Sequence, residues 1–245
     1  MHLEQTISQL QAMRLATMAQ SLKNRLKNND TQGLSNEEFF SLIVQDEFEA
    51  RHGRKLARMV SLANFKPEQA CIENISYTPS RGFQKKDIMT FTSPAWINNA
   101  QNIVITGPTG CGKTYIAEAI GLRACHMGYP AAKIRYKMLF ETIDAAKATG
   151  TFLKFLAGLH RIKVLILDDF LMDSIAPAQL SDLMEIIEER SQKLPVIITT
   201  QYPVEKWHSL LPDPTIADAV CDRIIHTAMH LNLEGDSMRK KTQKP

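Results

Sequence analysis

The sequence predicts an α/β protein: a parallel sheet packed between helices, preceded by a small all-helical domain. Three observations predict this. From about residue 94, apolar runs of strand length alternate with helical stretches, the pattern of β-α units whose parallel strands are covered by helices. Before residue 64 the apolar residues fall instead at helical spacing. Between the first apolar run of the later region and its helix stands "GPTGCGKTY", residues 107–115, with three glycines and a lysine at a strand-to-helix junction. A hydrophobic content of 44% over 245 residues allows a sizeable core. A net charge of +3 leaves nucleic acid open as a partner without requiring it.

The helical domain is expected over 1–64. Leu3, Ile7, Leu10, Met13, Leu22 and Leu26 lie near helical spacing, and "NNDTQGL" breaks the pattern. A further helix starts at Ser35, whose hydroxyl caps free N–H groups, with Glu38 completing the box and Phe39, Phe40, Ile43, Val44 and Phe48 giving an apolar face. "RHGRKLARMVSLANF" continues it with basic residues. Residues 65–93, rich in turn signals, read as a linker. The core over 94–235 contains strands in "NIVIT", "AAKIRY", "KVLILDD" and "PVIITT", with helices over 113–127, 136–148 and 178–190 between them. Residues 236–245 form a basic tail.

"MHLEQTISQL" has no charged start followed by a long apolar stretch, and no apolar run approaches the roughly 20 residues of a membrane span. Cys71, Cys111, Cys125 and Cys221 are scattered without a CxxC pair. A cytoplasmic protein with no membrane association is the expectation.

The glycine-rich stretch matches GxxxxGK[ST] through Gly107, Gly112, Lys113 and Thr114. Such a loop, from Gly107 through Pro108, Thr109, Gly110, Cys111, Gly112, Lys113 and Thr114 to Tyr115, curls its N–H groups around a polyphosphate. Glycine permits the backbone conformations that this needs. Lys113 reaches the β- and γ-phosphates, Thr114 offers its hydroxyl to Mg²⁺, and the next helix turns its positive end toward the anion. "KVLILDDF" is a buried-strand run ending in two acids. Asp168 is placed to hold Mg²⁺ and Asp169 to polarise the attacking water.

These motifs leave a small-molecule kinase, a GTPase and a mechanical ATPase open. No NKxD-type guanine-reading motif is present. In an ATPase with an additional strand between the loop strand and the acidic strand, "PVIITTQ" supplies that strand. Thr200 or Gln201 then faces the γ-phosphate.

Taken together, "GPTGCGKTYIAEAIG", "VLILDDF", "TTQYPVEKWHSLLPDPTIADAVCDRIIH", "LEGDSMRKK" and "IENISYTPSRG" resemble the IstB-type ATP-binding helpers of insertion sequences. These are AAA+ ATPases related to the helicase loader DnaC. The resemblance runs along nearly the whole chain, and "DPTIADAVCDRIIH" is its most specific part. It implies an AAA+ P-loop ATPase core that binds ATP with Mg²⁺ and assembles as an ATP-dependent homo-oligomer. It implies binding of double-stranded DNA and stimulation of a partner transposase. Arg223 corresponds to the arginine that reaches the neighbouring subunit's nucleotide, and Arg239 to a second sensor arginine. A DnaC-like helicase loader is the alternative, and a P-loop small-molecule kinase a more distant one.

For DNA the residues themselves offer Arg51, Arg54, Lys55 and Arg58, spaced i, i+3, i+4, i+7 on one helical face. Val44 and Phe48 share the azimuth of Arg51 and Lys55. The helix therefore either breaks near Gly53 or turns this face toward something else.

Overall fold

The computed structural model describes residues 2–28, 32–65 and 70–238. It divides into two compact units, residues 1–58 and 59–245.

The first unit is helical, as expected. α1 (His2–Ala12) and α2 (Ala16–Lys27) are joined by a tight turn in which Arg14 takes a positive φ of 60°. They are followed by α3 (Asn36–Leu62), which runs on past the end of the unit. The capping box is present: Glu38 N donates to Ser35 Oγ (3.2 Å), and Ser35 N donates to Glu38 Oε2 (2.7 Å). The helix does not break at Gly53. Two arginines of its basic face instead meet α2 and the turn before it: Arg51 donates to the Arg14 carbonyl and Arg54 to Thr17 Oγ1. Phe40, Val44 and Phe48 remain exposed.

The second unit contains, in order, α4 (Lys85–Met89), α5 (Ala95–Asn98), β1 (Ile103–Thr106), α6 (Lys113–His126), β2 (Ala131–Arg135), α7 (Tyr136–Ala148), α8 (Phe152–Arg161), β3 (Val164–Asp168), α9 (Pro177–Arg190), β4 (Val196–Thr200), α10 (Trp207–Leu210), α11 (Pro214–Ile225) and β5 (Met229–Asn232). All strand pairs are parallel and the order is β2-β3-β4-β1-β5. β3 and β4 are buried at every residue, so helices cover both faces and their apolar runs need no alternation. One side is filled by Tyr136, Phe170 and Trp207, whose rings meet in series, the first pair edge-to-face and the second tilted, with centroids 4.8 Å apart at each step. β4 lies between β1 and β3, as expected of the additional strand.

The segment expected as a linker differs from that reading. Among its described residues it makes short 3-10 turns at Ile72–Asn74, Pro79–Arg81 and Thr90–Thr92, besides α4. Ile72, Ile75, Phe83, Ile88 and Phe91 are buried. Widely spaced single apolar residues pack one by one, with no helical or strand period to reveal them.

Candidate nucleotide site

The strand order brings the carboxyl ends of β1, β4 and β3 side by side, and the candidate residues follow from those ends. β1 ends at Thr106 and passes into the glycine loop. Gly107 has φ 145°, and a Cβ there would come within 2.3 Å of the Leu233 carbonyl oxygen. Gly112 precedes α6 with φ 98°. These positions require glycine for conformation and, at Gly107, for space. Lys113 is buried, and its ammonium donates to the carbonyls of Gly107 (2.8 Å) and Pro108 (2.9 Å). The lysine thus lies along the loop it belongs to. The Tyr115 side chain turns elsewhere, its hydroxyl meeting the backbone of Cys71 at 3.4 Å. Only its backbone is left to serve the loop.

Asp168 closes β3 and is 3% exposed. Its Oδ1 accepts from Thr114 Oγ1 (2.8 Å) and from Thr199 Oγ1 (2.6 Å). Among the described residues no cationic side chain pairs with it. A buried carboxyl whose partners are two hydroxyls and no cation suits a hard cation. Thr114 and Asp168 are oxygen donors in mutual contact, so this corner fits Mg²⁺.

Asp169 is exposed and has φ 58°, the left-handed region that non-glycine residues rarely adopt. Its N–H donates to Thr199 Oγ1 (3.1 Å), and the next N–H, of Phe170, donates to the Thr199 carbonyl (2.8 Å). Thr199 therefore sets the turn at the acid pair from both its hydroxyl and its backbone. The sequence reading missed it. The available signal was a threonine in a strand buried on both faces, where a hydroxyl must find a partner.

Of the two γ-phosphate candidates, Thr200 is engaged in the turn. It is fully buried, its hydroxyl donates to the Phe170 carbonyl (2.8 Å) and accepts from Tyr202 N (3.2 Å). Gln201 is half-buried just beyond the strand end.

Arg223 lies on α11, and its ion-pair partner lies on α9. Nε pairs with Glu188 of α9 at 2.5 Å, and Nη1 donates to the Ala219 carbonyl at 3.0 Å. Arg239 lies outside the described residues. In the first unit Arg51 and Arg54 both pair with Glu47. Lys55 and Arg58 are exposed, and among the described residues neither forms an ion pair. The basic face read from the sequence is therefore two engaged arginines and two unengaged cations.

Residues 8–245 match the family model described as IstB-like ATP binding protein. An insertion sequence ATP-binding protein of Sinorhizobium fredii is 32% identical over 239 residues, 98% of this chain and 97% of its own. The ATP-binding protein of insertion sequence IS1162 from Pseudomonas fluorescens is 34% identical over 200 residues, 82% and 87% of the two chains. Among solved structures, the DnaC helicase loader superposes with a TM-score of 0.57 at 21% identity, covering 67% of this chain and 97% of that one. That likeness is one of fold.

Proposed function

The chain belongs to the IstB-like ATP-binding protein family, and on that premise we propose that it is an ATP-dependent DNA-binding ATPase. It assembles as a homo-oligomer on double-stranded target DNA and stimulates a partner transposase. The observation that carries the ATPase reading is the contact of Thr114, Asp168 and Thr199 beside the glycine loop, at the ends of neighbouring strands. The names of the two relatives reported above, both of insertion sequence proteins, support the transposition role.

In this reading the loop amides and the N-terminus of α6 receive the phosphates, and Lys113 moves from its carbonyl partners to the β- and γ-phosphate oxygens. Thr114 and Asp168 would hold Mg²⁺, which would supply charge neutralisation to the phosphates. Asp169 accepts the proton of the attacking water. Gln201 faces the γ-phosphate. Arg223 of one subunit serves the nucleotide of the next, and must first leave Glu188. Arg239 is assigned the second sensor role by resemblance alone. Lys55 and Arg58, which form no ion pair among the described residues, serve as the DNA-facing cations.

The test of the ATPase reading is Asp169→Asn. It should bind ATP like the parent and hydrolyse it at least about 100-fold more slowly, the usual scale of a lost general base. Parent-like hydrolysis in this variant would place the base elsewhere. The fold likeness to DnaC carries no argument for a helicase partner. A kinase reading predicts transfer to a small molecule and no DNA-dependent assembly.

A further inference from the structure

Arg81 has no role in the reading above, yet it is one of the buried charges of the second unit. It sits in the turn Pro79–Arg81 and is 8% exposed. Nη1 donates to the Ser76 carbonyl (2.8 Å), and Nη2 donates to the carbonyl of Cys111, inside the glycine loop (2.8 Å). The guanidinium lies 4.9 Å from the centre of the Phe83 ring. Burial lowers its pKa from the ordinary arginine value. Among the described residues no carboxylate forms an ion pair with it.

The other buried arginine among the described residues shows what a purely structural one looks like. Arg190, 2% exposed, donates to four carbonyls, those of Leu159, Ile162, Lys163 and Pro195, each at 3.1 Å. It braces chain segments near the start of β3 and β4, away from their carboxyl ends. Arg81 holds two carbonyls, and one belongs to the loop built to bind an anion. A buried cation without a counter-charge is costly. Its placement against an anion-binding loop suggests where the counter-charge comes from.

The Cys111 carbonyl belongs to the same peptide unit as the Gly112 N–H. That peptide is trans, so this carbonyl and N–H point in opposite directions. A cation bonded to the carbonyl fixes the direction of that N–H and polarises it as a donor. The approach is close: a Cβ on Gly112 would come 3.0 Å from Arg81 Nη2.

We propose that Arg81 is a positioning residue for the triphosphate, setting the Cys111–Gly112 peptide from behind the loop and supplying a fixed positive charge whose counter-charge is the bound polyphosphate. This rests on the nucleotide site proposed above. It adds to that site a group from a segment that reads as a linker.

The test compares Arg81→Gln, which keeps a donor and loses the charge, with Arg81→Lys, which keeps the charge and loses the fork that spans two carbonyls. ATP and ADP affinities are measured by fluorescence titration without Mg²⁺, and melting temperature without nucleotide. Arg81→Gln should lose about tenfold in ATP affinity, roughly the scale of one charge-assisted contact. It should lose less for ADP, which carries less charge, and melt no lower than the parent. Arg81→Lys should recover most of the ATP affinity. A brace like Arg190 predicts the reverse: a lower melting temperature, equal losses for ATP and ADP, and no advantage of lysine over glutamine. That pattern, parent-like ATP affinity in Arg81→Gln, or failure of that variant to fold, overturns the proposal. Lys113→Ala separates the two levels. If it loses ATP while Arg81→Gln does not, only the role of Arg81 fails. If it binds ATP like the parent, the site itself is wrong.

Discussion

Glu47 in the first unit and Asp168 in the second are both nearly buried carboxylates, 5% and 3% exposed, yet their partners differ in kind. Glu47 accepts from Arg51 Nε (2.6 Å) and from the Met18 N–H (2.9 Å), with Arg54 3.5 Å away. Its charge is neutralised within the chain, by arginines that are themselves more than half exposed. Asp168 accepts from two hydroxyls and meets no cation among the described residues. The first arrangement fastens helices together. The second leaves the carboxylate with hydroxyl partners alone among the described residues. An acid's burial does not reveal its use, but the charge state of its partners does.

The largest expected effect breaks the second arrangement. Lys113→Ala should lower ATP affinity by about 100-fold or more, because it removes the loop's charged phosphate contact. Circular dichroism should stay unchanged. Asp168→Ala should abolish Mg²⁺-dependent hydrolysis and leave Mg²⁺-free ATP binding nearly intact, read by titration with and without the metal.

A large effect on rate alone is expected at Arg223, a cation with an internal partner that the proposed function requires to leave it. Arg223→Ala should retain ATP binding and lose hydrolysis by about a thousandfold, the scale of an arginine supplied to a phosphoryl transfer. Mixed with Lys113→Ala, it should recover activity at junctions where each protein supplies what the other lacks. If mixed oligomers form and stay inactive, the trans-acting role is wrong.

Much of the second arrangement is legible in the sequence. The glycine loop, the paired acids and the alternation of runs announce themselves because phosphate binding and parallel sheets demand local patterns. Thr199, Arg81 and Glu188 do not, because their roles depend on which segments meet in space. Thr199 acts through the adjacency of β3 and β4, and Arg81 through a turn about 30 residues before the loop it touches. β5 escaped notice because it is a four-residue edge strand with two exposed positions. α3 was legible as a helix, but its basic face was not divisible by sequence into engaged and unengaged cations.

That division gives a smaller test in the first unit. Arg58→Ala and Lys55→Ala should each weaken duplex binding similarly across sequences and flatten its salt dependence, as lost phosphate contacts do. Arg51→Ala should instead lower stability by about 1 kcal/mol, the scale of a partly exposed ion pair. Salt titrations of DNA affinity and denaturant melts distinguish the two.

The smallest effect concerns pH. The Arg51 hydrogen bond, with further help from the Met18 N–H, holds the Glu47 carboxyl below its ordinary 4.5. A lowered folded-state pKa means that the contribution of Glu47 is complete above about pH 4.5 and fades as pH falls through the folded-state value. Acid melts of the parent should show this loss, and Glu47→Gln should remove that part of the pH dependence.

The central claim, an ATPase that works as a nucleotide-bridged assembly on DNA, is tested most directly by the mass of the purified protein in Mg–ATP together with duplex DNA. The account predicts a multi-subunit complex that forms with both ligands, fails to form with Lys113→Ala, and returns toward smaller species when nucleotide is removed. A mass that is the same with and without ATP, or a single subunit bound to DNA under all conditions, would contradict it.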